Sequence, residues 1–233
     1  MLDSNHPLLR QKNLAKPKNL VVLCDFDGTI TTIDTAEWVL SKFAQGNWRQ
    51  FDKKFKKNEI TLEECLNRQF SLVSASKKQI LQELNDLVVF RSNFKELAEY
   101  CKKNHVPLIV VSAGLDFVIE HFLELNDCLD LVEVCAAKTT FTDNGIKLVF
   151  PTLLDTASEN IKDDAVRRYK SRNKTVIYIG DGLADCTAAK VADYSFAIEG
   201  SKLAKLCAKQ GIHCRIITDF QEIIEIICKT NII

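Results

Sequence analysis

Two aspartates, two residues apart, end the first apolar run of the chain. Residues 20–24 read LVVLC, and the letters DFDGT follow at residues 25–29. Side chains at positions i and i+2 of a strand point to the same face, so Asp25 and Asp27 are expected side by side. Like charges that close repel unless a cation or a shared proton lies between them. The pattern favours a metal site built around a carboxylate nucleophile, although Asp and Gly after a strand also suit an ordinary turn.

Two later apolar runs also end in polar or small residues, and a lysine begins a predicted helix between them. These residues are Ser112, Ala113, Gly114, Lys162, Asp181 and Asp185. Taken singly, each has a plainer interpretation as a helix cap, a surface lysine or a turn residue. Ligands of open α/β sheets bind beyond the carboxyl ends of the strands. The shared placement of these residues therefore predicts one site together with the first two aspartates.

The elements that would position these residues alternate between strands and helices. Strands are predicted at residues 20–24, 107–111, 131–136, 175–179, 194–198 and 213–217, with a hairpin in residues 138–151. Helices are predicted at residues 93–104, 159–169, 183–191 and 202–209, after residue 114, and from residue 219. This order predicts an α/β fold with a doubly wound, parallel, Rossmann-like sheet covered by helices on both faces.

Residues 36–90 interrupt this alternation. Apolar residues recur there at helical spacing, and Thr61 and Ser76 stand where helix caps are expected. The segment predicts a small α-helical domain inserted after the first strand. The core domain then comprises residues 20–35 and 91–233, and residues 1–19 form a polar N-terminal arm.

Composition narrows the classes of function. The 233 residues include 31 lysines and arginines and 31 aspartates and glutamates, so there is no net field to attract nucleic acid or an anionic membrane. We therefore expect no nucleic-acid partner. We expect no membrane partner either, because no apolar run approaches the length of a membrane span. Nine scattered cysteines without CxxC pairs indicate reduced thiols and a cytoplasmic protein. The four histidines do not cluster into a zinc site.

The four segments that carry these candidate site residues together resemble the signatures of the haloacid dehalogenase superfamily of phosphohydrolases. DFDGT at residues 25–29 matches the first signature, VVSAG at 110–114 the second, Lys162 the third and GDGLAD at 180–185 the fourth. Their order and spacing match as well, and the resemblance extends from Leu20 onward. It implies a phosphatase that hydrolyses small phosphate esters with Mg²⁺.

The resemblance also implies a role for each matched residue. Asp25 would be the nucleophile that forms an aspartyl phosphate, and Asp27 the general acid and base. The remaining roles are Mg²⁺ binding by Asp25, by the backbone carbonyl of Asp27 and by Asp181; phosphate binding by Ser112, Ala113, Gly114 and Lys162; and support of the site by Gly28, Thr29 and Asp185.

The helical insertion after the first strand resembles the cap of the phosphoserine phosphatase-like branch. Asp34 falls where phosphoserine phosphatases carry a glutamate that reads the substrate amine. Their cap arginine, which binds the serine carboxylate, aligns with Gln69. Arg68 would bind that carboxylate only after a register shift. This difference disfavours phosphoserine, and the DFDGTIT and SAGLDFV segments are similar to enol-phosphate phosphatases of methionine salvage and to polyol-phosphate enzymes.

Several alternatives stay open at the level of sequence. A phosphotransferase or mutase would use the same aspartyl phosphate, and phosphoserine is a further candidate substrate. A non-catalytic binding module is disfavoured because Asp25, Asp27 and Asp181 are all present. A homodimer is compatible with the sequence, which does not specify the oligomeric state.

Overall fold

Seven strands form one sheet in the order β4-β3-β2-β1-β5-β6-β7 in the computed structural model, which describes residues 19–229. The strands are β1 (Leu20–Cys24), β2 (Leu108–Leu115), β3 (Glu133–Thr142), β4 (Gly145–Val149), β5 (Thr175–Gly180), β6 (Tyr194–Ile198) and β7 (Arg215–Ile217). All neighbouring strands pair in parallel except β3 and β4, which form the predicted hairpin. The predicted arm at residues 1–19 lies, except for Asn19, outside the described residues.

Helices separate most of the strands. They are α1 (Thr35–Phe43), α2 (Arg49–Lys56), α3 (Leu62–Phe70), α4 (Lys77–Leu84), α5 (Phe94–Lys103), α6 (Asp116–Leu125), α7 (Ile161–Lys170), α8 (Cys186–Val191), α9 (Lys202–Gln210) and α10 (Gln221–Lys229). No helix within residues 19–229 is long and apolar enough to cross a membrane.

Alternate residues of β1 belong to two different hydrophobic layers. Val22 and Cys24 pack in the layer that includes apolar residues of α5, α6 and α10, whereas Val21 and Leu23 pack in the layer of α7, α8 and α9. All four are fully buried, as expected for a strand covered on both faces. The predicted doubly wound α/β fold is confirmed.

The chain reverses its direction of winding at β1. β2 and then β3 follow on one side of β1, and β5, β6 and β7 follow on the other. The carboxyl ends of β1, β2 and β5 therefore lie next to one another at the switch point of the sheet, which is where open α/β sheets bind ligands. Asp25 and Asp181 directly follow β1 and β5, and Ser112 lies in the second half of β2.

Helices α1 to α4 follow one another without a strand between them, as the apolar spacing predicts. Asp34 caps α1 by accepting a hydrogen bond from the Glu37 N–H, and Ser76 and Gln79 form a capping box at α4. The segment enters and leaves the core through paired backbone: Thr31 bridges Phe90 in antiparallel fashion. We retain residues 36–90 as the proposed cap domain.

The β3–β4 hairpin touches the cap helices. Leu148 N donates a 2.9 Å hydrogen bond to Asn67 Oδ1 on α3. Gly145 at the turn lies so close to α3 that an added Cβ would sit 2.3 Å from the Ser71 carbonyl oxygen. The sequence predicted a separate strand at residues 131–136, but β3 runs on through the hairpin because it pairs first with β2 and then with β4.

The helices α7, α8 and α10 begin two or three residues later than predicted, and side-chain hydrogen bonds explain the late start of the last two. α8 starts at Cys186 instead of residue 183, because Asp185 accepts hydrogen bonds from the N–H groups of Asp181 and Gly182 and closes a turn there. α10 starts at Gln221, whose N–H donates to the Asp219 carboxylate. Both differences reflect side-chain hydrogen bonds that hold the backbone in a turn.

Candidate active site

A cavity of about 210 Å³ lies between the carboxyl edge of the sheet and helices α1 to α3. Asp25, Asp27, Ser112, Ala113, Gly114, Lys162 and Asp181 line its core side. The structure thus brings together residues from four separate segments. Asp185 lies directly behind this surface and is fully buried.

Asp25 follows β1 and is only 4% exposed. Its N–H donates to the Ile179 carbonyl oxygen of β5 at 2.9 Å, which continues the sheet hydrogen bonding to the edge of the cavity. The Asp25 Oδ2 atom lies 2.8 Å from Lys162 Nζ. Burial, together with the nearby Asp185 charge, raises the pKa of Asp25 well above its usual value, and Lys162 opposes that rise. The site therefore needs compensating positive charge to keep Asp25 ionised.

Asp27 is held by the first residue of α1. The N–H of Thr35 donates to Asp27 Oδ1 at 2.9 Å, and the Thr35 hydroxyl donates to the same oxygen. The other oxygen, Oδ2, lies 3.5 Å from Ser112 Oγ. A Cβ at Gly114 would lie only 2.5 Å from Oδ2, so the carboxylate requires glycine there. One oxygen is fixed, and the other faces Ser112 and Gly114.

The turn after Asp25 is stabilised from two sides. Gly28 adopts a left-handed conformation with φ +74°, and a Cβ there would meet Asp181 Oδ2 at 2.5 Å. Arg91 donates hydrogen bonds to the carbonyl oxygens of Gly28 and Thr29, each at 2.9 Å. The Thr29 hydroxyl donates to Asp181 Oδ1 at 3.3 Å. Gly28 and Thr29 therefore shape the loop that follows Asp25 and contacts Asp181.

Lys162 stands in the first turn of α7, where Asn160 and Asp163 form a capping box. Its Nζ atom lies 2.6 Å from Asp185 Oδ1, in addition to its contact with Asp25, and its side chain is 6% exposed. Burial disfavours the charge, yet Asp185 and Asp25 together raise the pKa of Lys162 above its usual value. Lys162 is therefore a buried cation that contacts two carboxylates.

Asp185 accepts hydrogen bonds from four donors. Oδ1 accepts from Lys162 Nζ and from the Tyr178 hydroxyl, both at 2.6 Å. Oδ2 accepts from Asp181 N at 3.0 Å and from Gly182 N at 2.6 Å. A carboxylate offers about four lone-pair sites, so these donors saturate it.

Three carboxylates could surround a cation. Single oxygens of Asp25, Asp181 and Asp185 all lie within 4.8 Å of one another. Burial, and then the Asp185 charge, raise the pKa of Asp181 to about 6. Carboxylate oxygens are hard ligands of the kind that Mg²⁺ prefers, and a divalent cation would relieve the repulsion among them. The donor set fits Mg²⁺, with Asp25 and Asp181 better placed than the saturated Asp185.

The cap side of the cavity differs from the sequence prediction at one residue. Asp34 lines the cavity, whereas Arg68 does not and instead pairs with Glu64 on the outer side of α3. Gln69 lines the cavity in its place. Gln69 is 2% exposed, and its Nε2 atom donates to Asp52 Oδ1 at 2.8 Å. The register shift that would bring Arg68 into the site does not occur.

Apolar side chains form most of the remaining cap wall. They are Ala36, Leu40, Trp48, Phe55, Leu62, Cys65 and Leu66. Two exposed lysines, Lys56 of the cap and Lys202 of the core, also border the cavity. Beyond the phosphate side, the cavity thus combines this apolar surface with the neutral amide of Gln69, the carboxylates of Asp34, Glu37 and Asp52, and two peripheral cations.

Three contributors to the site were not predicted: Thr35, Arg91 and Tyr178. Thr35 gave a partial signal, because it follows the Asp34 cap directly. Arg91 donates to the carbonyl oxygen of Thr29 across 62 residues of sequence, and the Tyr178 hydroxyl donates to Asp185, seven residues further along the chain. Local sequence patterns carry no information on such contacts.

Comparisons with known proteins agree on one family. The family model for haloacid dehalogenase-like hydrolases matches residues 22–190. The chain is 31% identical over 185 residues to a 2-hydroxy-3-keto-5-methylthiopentenyl-1-phosphate phosphatase of Brevibacillus brevis, which covers 77% of this chain and 83% of that one. A protein of the same name from Geobacillus thermodenitrificans is 27% identical over 221 residues, or 93% and 99% of the two chains.

The fold also matches solved structures. A phosphoserine phosphatase, solved as a phospho-aspartyl intermediate analogue, superposes with a TM-score of 0.66 over 89% of this chain and 98% of its own. The two sequences are 18% identical, so this likeness concerns the fold.

Proposed function

Because this chain belongs to the haloacid dehalogenase-like hydrolase family, we propose that it hydrolyses a small phosphate ester through an aspartyl phosphate on Asp25. It is an enzyme of the phosphoric monoester hydrolase class. The observation that carries the proposal is the environment of Asp25: a carboxylate that is 4% exposed, faces the cavity and lies 2.8 Å from Lys162. Burial removes competing water from a nucleophile that the lysine holds in one orientation.

The proposed reaction has two steps. An oxygen of Asp25 bonds to phosphorus as the bond between phosphorus and the ester oxygen breaks, and Asp27 gives its proton to the leaving oxygen. Asp27 then takes a proton from water, whose oxygen bonds to phosphorus while the bond to Asp25 breaks. Inorganic phosphate is released, and both aspartates return to their starting states.

The remaining residues bind the phosphate and the cation. We assign phosphate binding to the Ser112 hydroxyl, the Ala113 and Gly114 segment and the Lys162 ammonium. When bound, Mg²⁺ neutralises the charge that gathers on the phosphate oxygens. We assign its protein ligands to Asp25, the backbone carbonyl of Asp27 and Asp181.

The apolar part of the cap wall favours a substrate with an apolar end. The aliphatic and aromatic side chains there suit a methylthio group, and the buried Gln69 offers hydrogen bonds to a carbonyl or a hydroxyl without adding charge. We therefore propose the enol phosphate named for the bacterial relatives, 2-hydroxy-3-keto-5-methylthiopentenyl-1-phosphate, ahead of phosphoserine and polyol phosphates.

Turnover of a substrate panel tests this proposal. We expect hydrolysis of a generic aryl phosphate with Mg²⁺, and a kcat/KM at least about tenfold higher for the enol phosphate than for phosphoserine, a polyol phosphate or phosphocholine. We expect Asp25→Asn to be inactive on every substrate of the panel and to unfold at the same Tm as the wild type. Activity in that variant would remove Asp25 as the nucleophile.

Product analysis separates hydrolysis from transfer. With an acceptor alcohol present, we expect phosphate to appear in water as the inorganic ion. Phosphate that appears mainly on the acceptor would identify a phosphotransferase, and an absence of turnover on the whole panel would favour a binding module.

A further inference from the structure

We propose that Tyr178 is a positioning residue for the phosphate-binding lysine: its hydroxyl fixes Asp185 as the counter-ion of Lys162. This inference rests on the proposed function, because it assigns a partner to a residue of that same site. Tyr178 lies in the middle of β5, where it pairs with Leu23 of β1 and is fully buried. It does not line the cavity itself.

The hydroxyl is the feature that packing alone does not explain. Tyr178 sits in the hydrophobic layer with Val166, Ala188 and Leu203, where a phenylalanine ring would pack equally well. A buried hydroxyl without a partner is costly, so its presence requires a strong acceptor. That acceptor is Asp185 Oδ1, at 2.6 Å.

The hydrogen bond from Tyr178 determines how many lone-pair sites of the Asp185 carboxylate remain free. Lys162 and Tyr178 share Oδ1, and the backbone N–H groups of Asp181 and Gly182 share Oδ2. With all four lone-pair sites in use, Asp185 neither turns toward the cation site nor rotates away from Lys162. The tyrosine supplies this restraint without adding a charge of its own.

The consequence reaches the substrate through Lys162. An ammonium group has three N–H bonds, of which one points to Asp185 and one to Asp25. The third is left for a phosphate oxygen, and its direction is set by the other two. Loss of the Tyr178 hydroxyl frees one lone pair of Oδ1, so both Asp185 and the ammonium gain freedom to move.

Tyr178→Phe tests the proposal, with Ser195→Ala as its matched control. Ser195 is also buried and donates its hydroxyl at 2.6 Å, but to the Ala189 carbonyl oxygen, away from the cavity. We expect both variants to lower Tm to a similar extent. Only Tyr178→Phe should lower kcat on an aryl phosphate, by about tenfold, and raise the Kd for inorganic phosphate in calorimetry by several fold.

A double-mutant cycle shows whether the effect passes through Lys162. In a Lys162→Met background, Tyr178→Phe should change neither the residual kcat nor the Kd for phosphate, because there is no ammonium left to orient. A full additional loss in that background would overturn the proposal. So would a Tyr178→Phe enzyme with the kcat and Kd of Ser195→Ala, a comparison that stands even if Lys162→Met does not fold.

The two proposals fail in different ways. If wild-type protein hydrolyses no phosphate ester, the proposed function fails regardless of Tyr178. If wild type is active and Tyr178→Phe matches its control, the positioning role alone is removed.

Discussion

At the scale of single residues, the two oxygens of Asp27 have different surroundings, and this difference bears on the proton transfer that we propose for it. Oδ1 accepts two hydrogen bonds from Thr35, whereas Oδ2 faces Ser112 and the backbone at Gly114. Burial raises the pKa of Asp27, and the Thr35 hydrogen bonds oppose that rise. We therefore propose that Oδ2 is the oxygen that gives its proton to the leaving group.

Thr35→Val tests this arrangement. Valine has nearly the same shape and retains the backbone N–H, so the variant removes only the hydroxyl donor to Oδ1. We expect kcat to fall about five- to tenfold because Asp27 is less well oriented, with little change in KM. The control is Thr32→Val, which alters an exposed hydroxyl that donates to the Val89 carbonyl oxygen. Equal kcat values for the two variants would contradict the assigned role of Thr35.

Residues that sequence alone identifies here share one property. Asp25, Asp27 and Asp181 follow apolar runs directly, so the pattern of the strand also reveals the residue at its end. Tyr178 is hidden because it belongs to such a run and reads as one more apolar residue. Its proposed role depends on a hydroxyl whose partner is Asp185, seven residues further along the chain.

At the scale of elements, apolar runs predict the strands well because strands buried on both faces have little freedom in composition. β1 and β6 have the predicted bounds. The start of α8 was missed, since the Asp185 carboxylate and not the apolar pattern decides where that helix begins. The hairpin between β3 and β4 was predicted from Asn144-Gly145, but its contact with α3 was not.

Asn67→Ala tests that contact between hairpin and cap. The variant leaves the Leu148 N–H without its 2.9 Å acceptor, so we expect the free energy of unfolding to fall by about 1–2 kcal/mol and Tm by about 2–8 °C. Calorimetry measures both quantities. Asn67→Asp keeps an acceptor oxygen and should retain most of the stability. If both variants are as stable as wild type, the hydrogen bond does not secure the hairpin.

At the scale of the whole molecule, the sheet gathers carboxylates from distant parts of the chain at one edge. Asp25, Asp181 and Asp185 converge because β1 and β5 are neighbours, which strand prediction alone does not specify. Burial and their mutual repulsion raise the pKa of Asp25 and of Asp181. A cation that binds there should therefore stabilise the folded chain as well as assist the reaction.

Thermal unfolding with and without Mg²⁺ tests this expectation. At a concentration 100 times its Kd, a ligand that binds only the folded state adds about 2.7 kcal/mol of stability. We expect Mg²⁺ to raise Tm by several degrees and EDTA to abolish both that rise and the activity. Asp181→Asn should weaken the rise in Tm, whereas Asp193→Asn, in an ion pair with Lys170, should preserve it. A Tm independent of Mg²⁺ in wild type would contradict the assigned site.

The paired backbone at Thr31 and Phe90 has a consequence for how such an enzyme diversifies. The two ends of the intervening helices leave the core side by side, so the length and sequence between them change without altering the order of the strands. We expect substitutions within residues 36–90, beyond Thr35, to alter which alcohol is accepted while the carboxylates beneath them keep their geometry. If so, selectivity and reactivity lie in separate stretches of the gene, and natural selection or laboratory evolution is free to act on one while conserving the other.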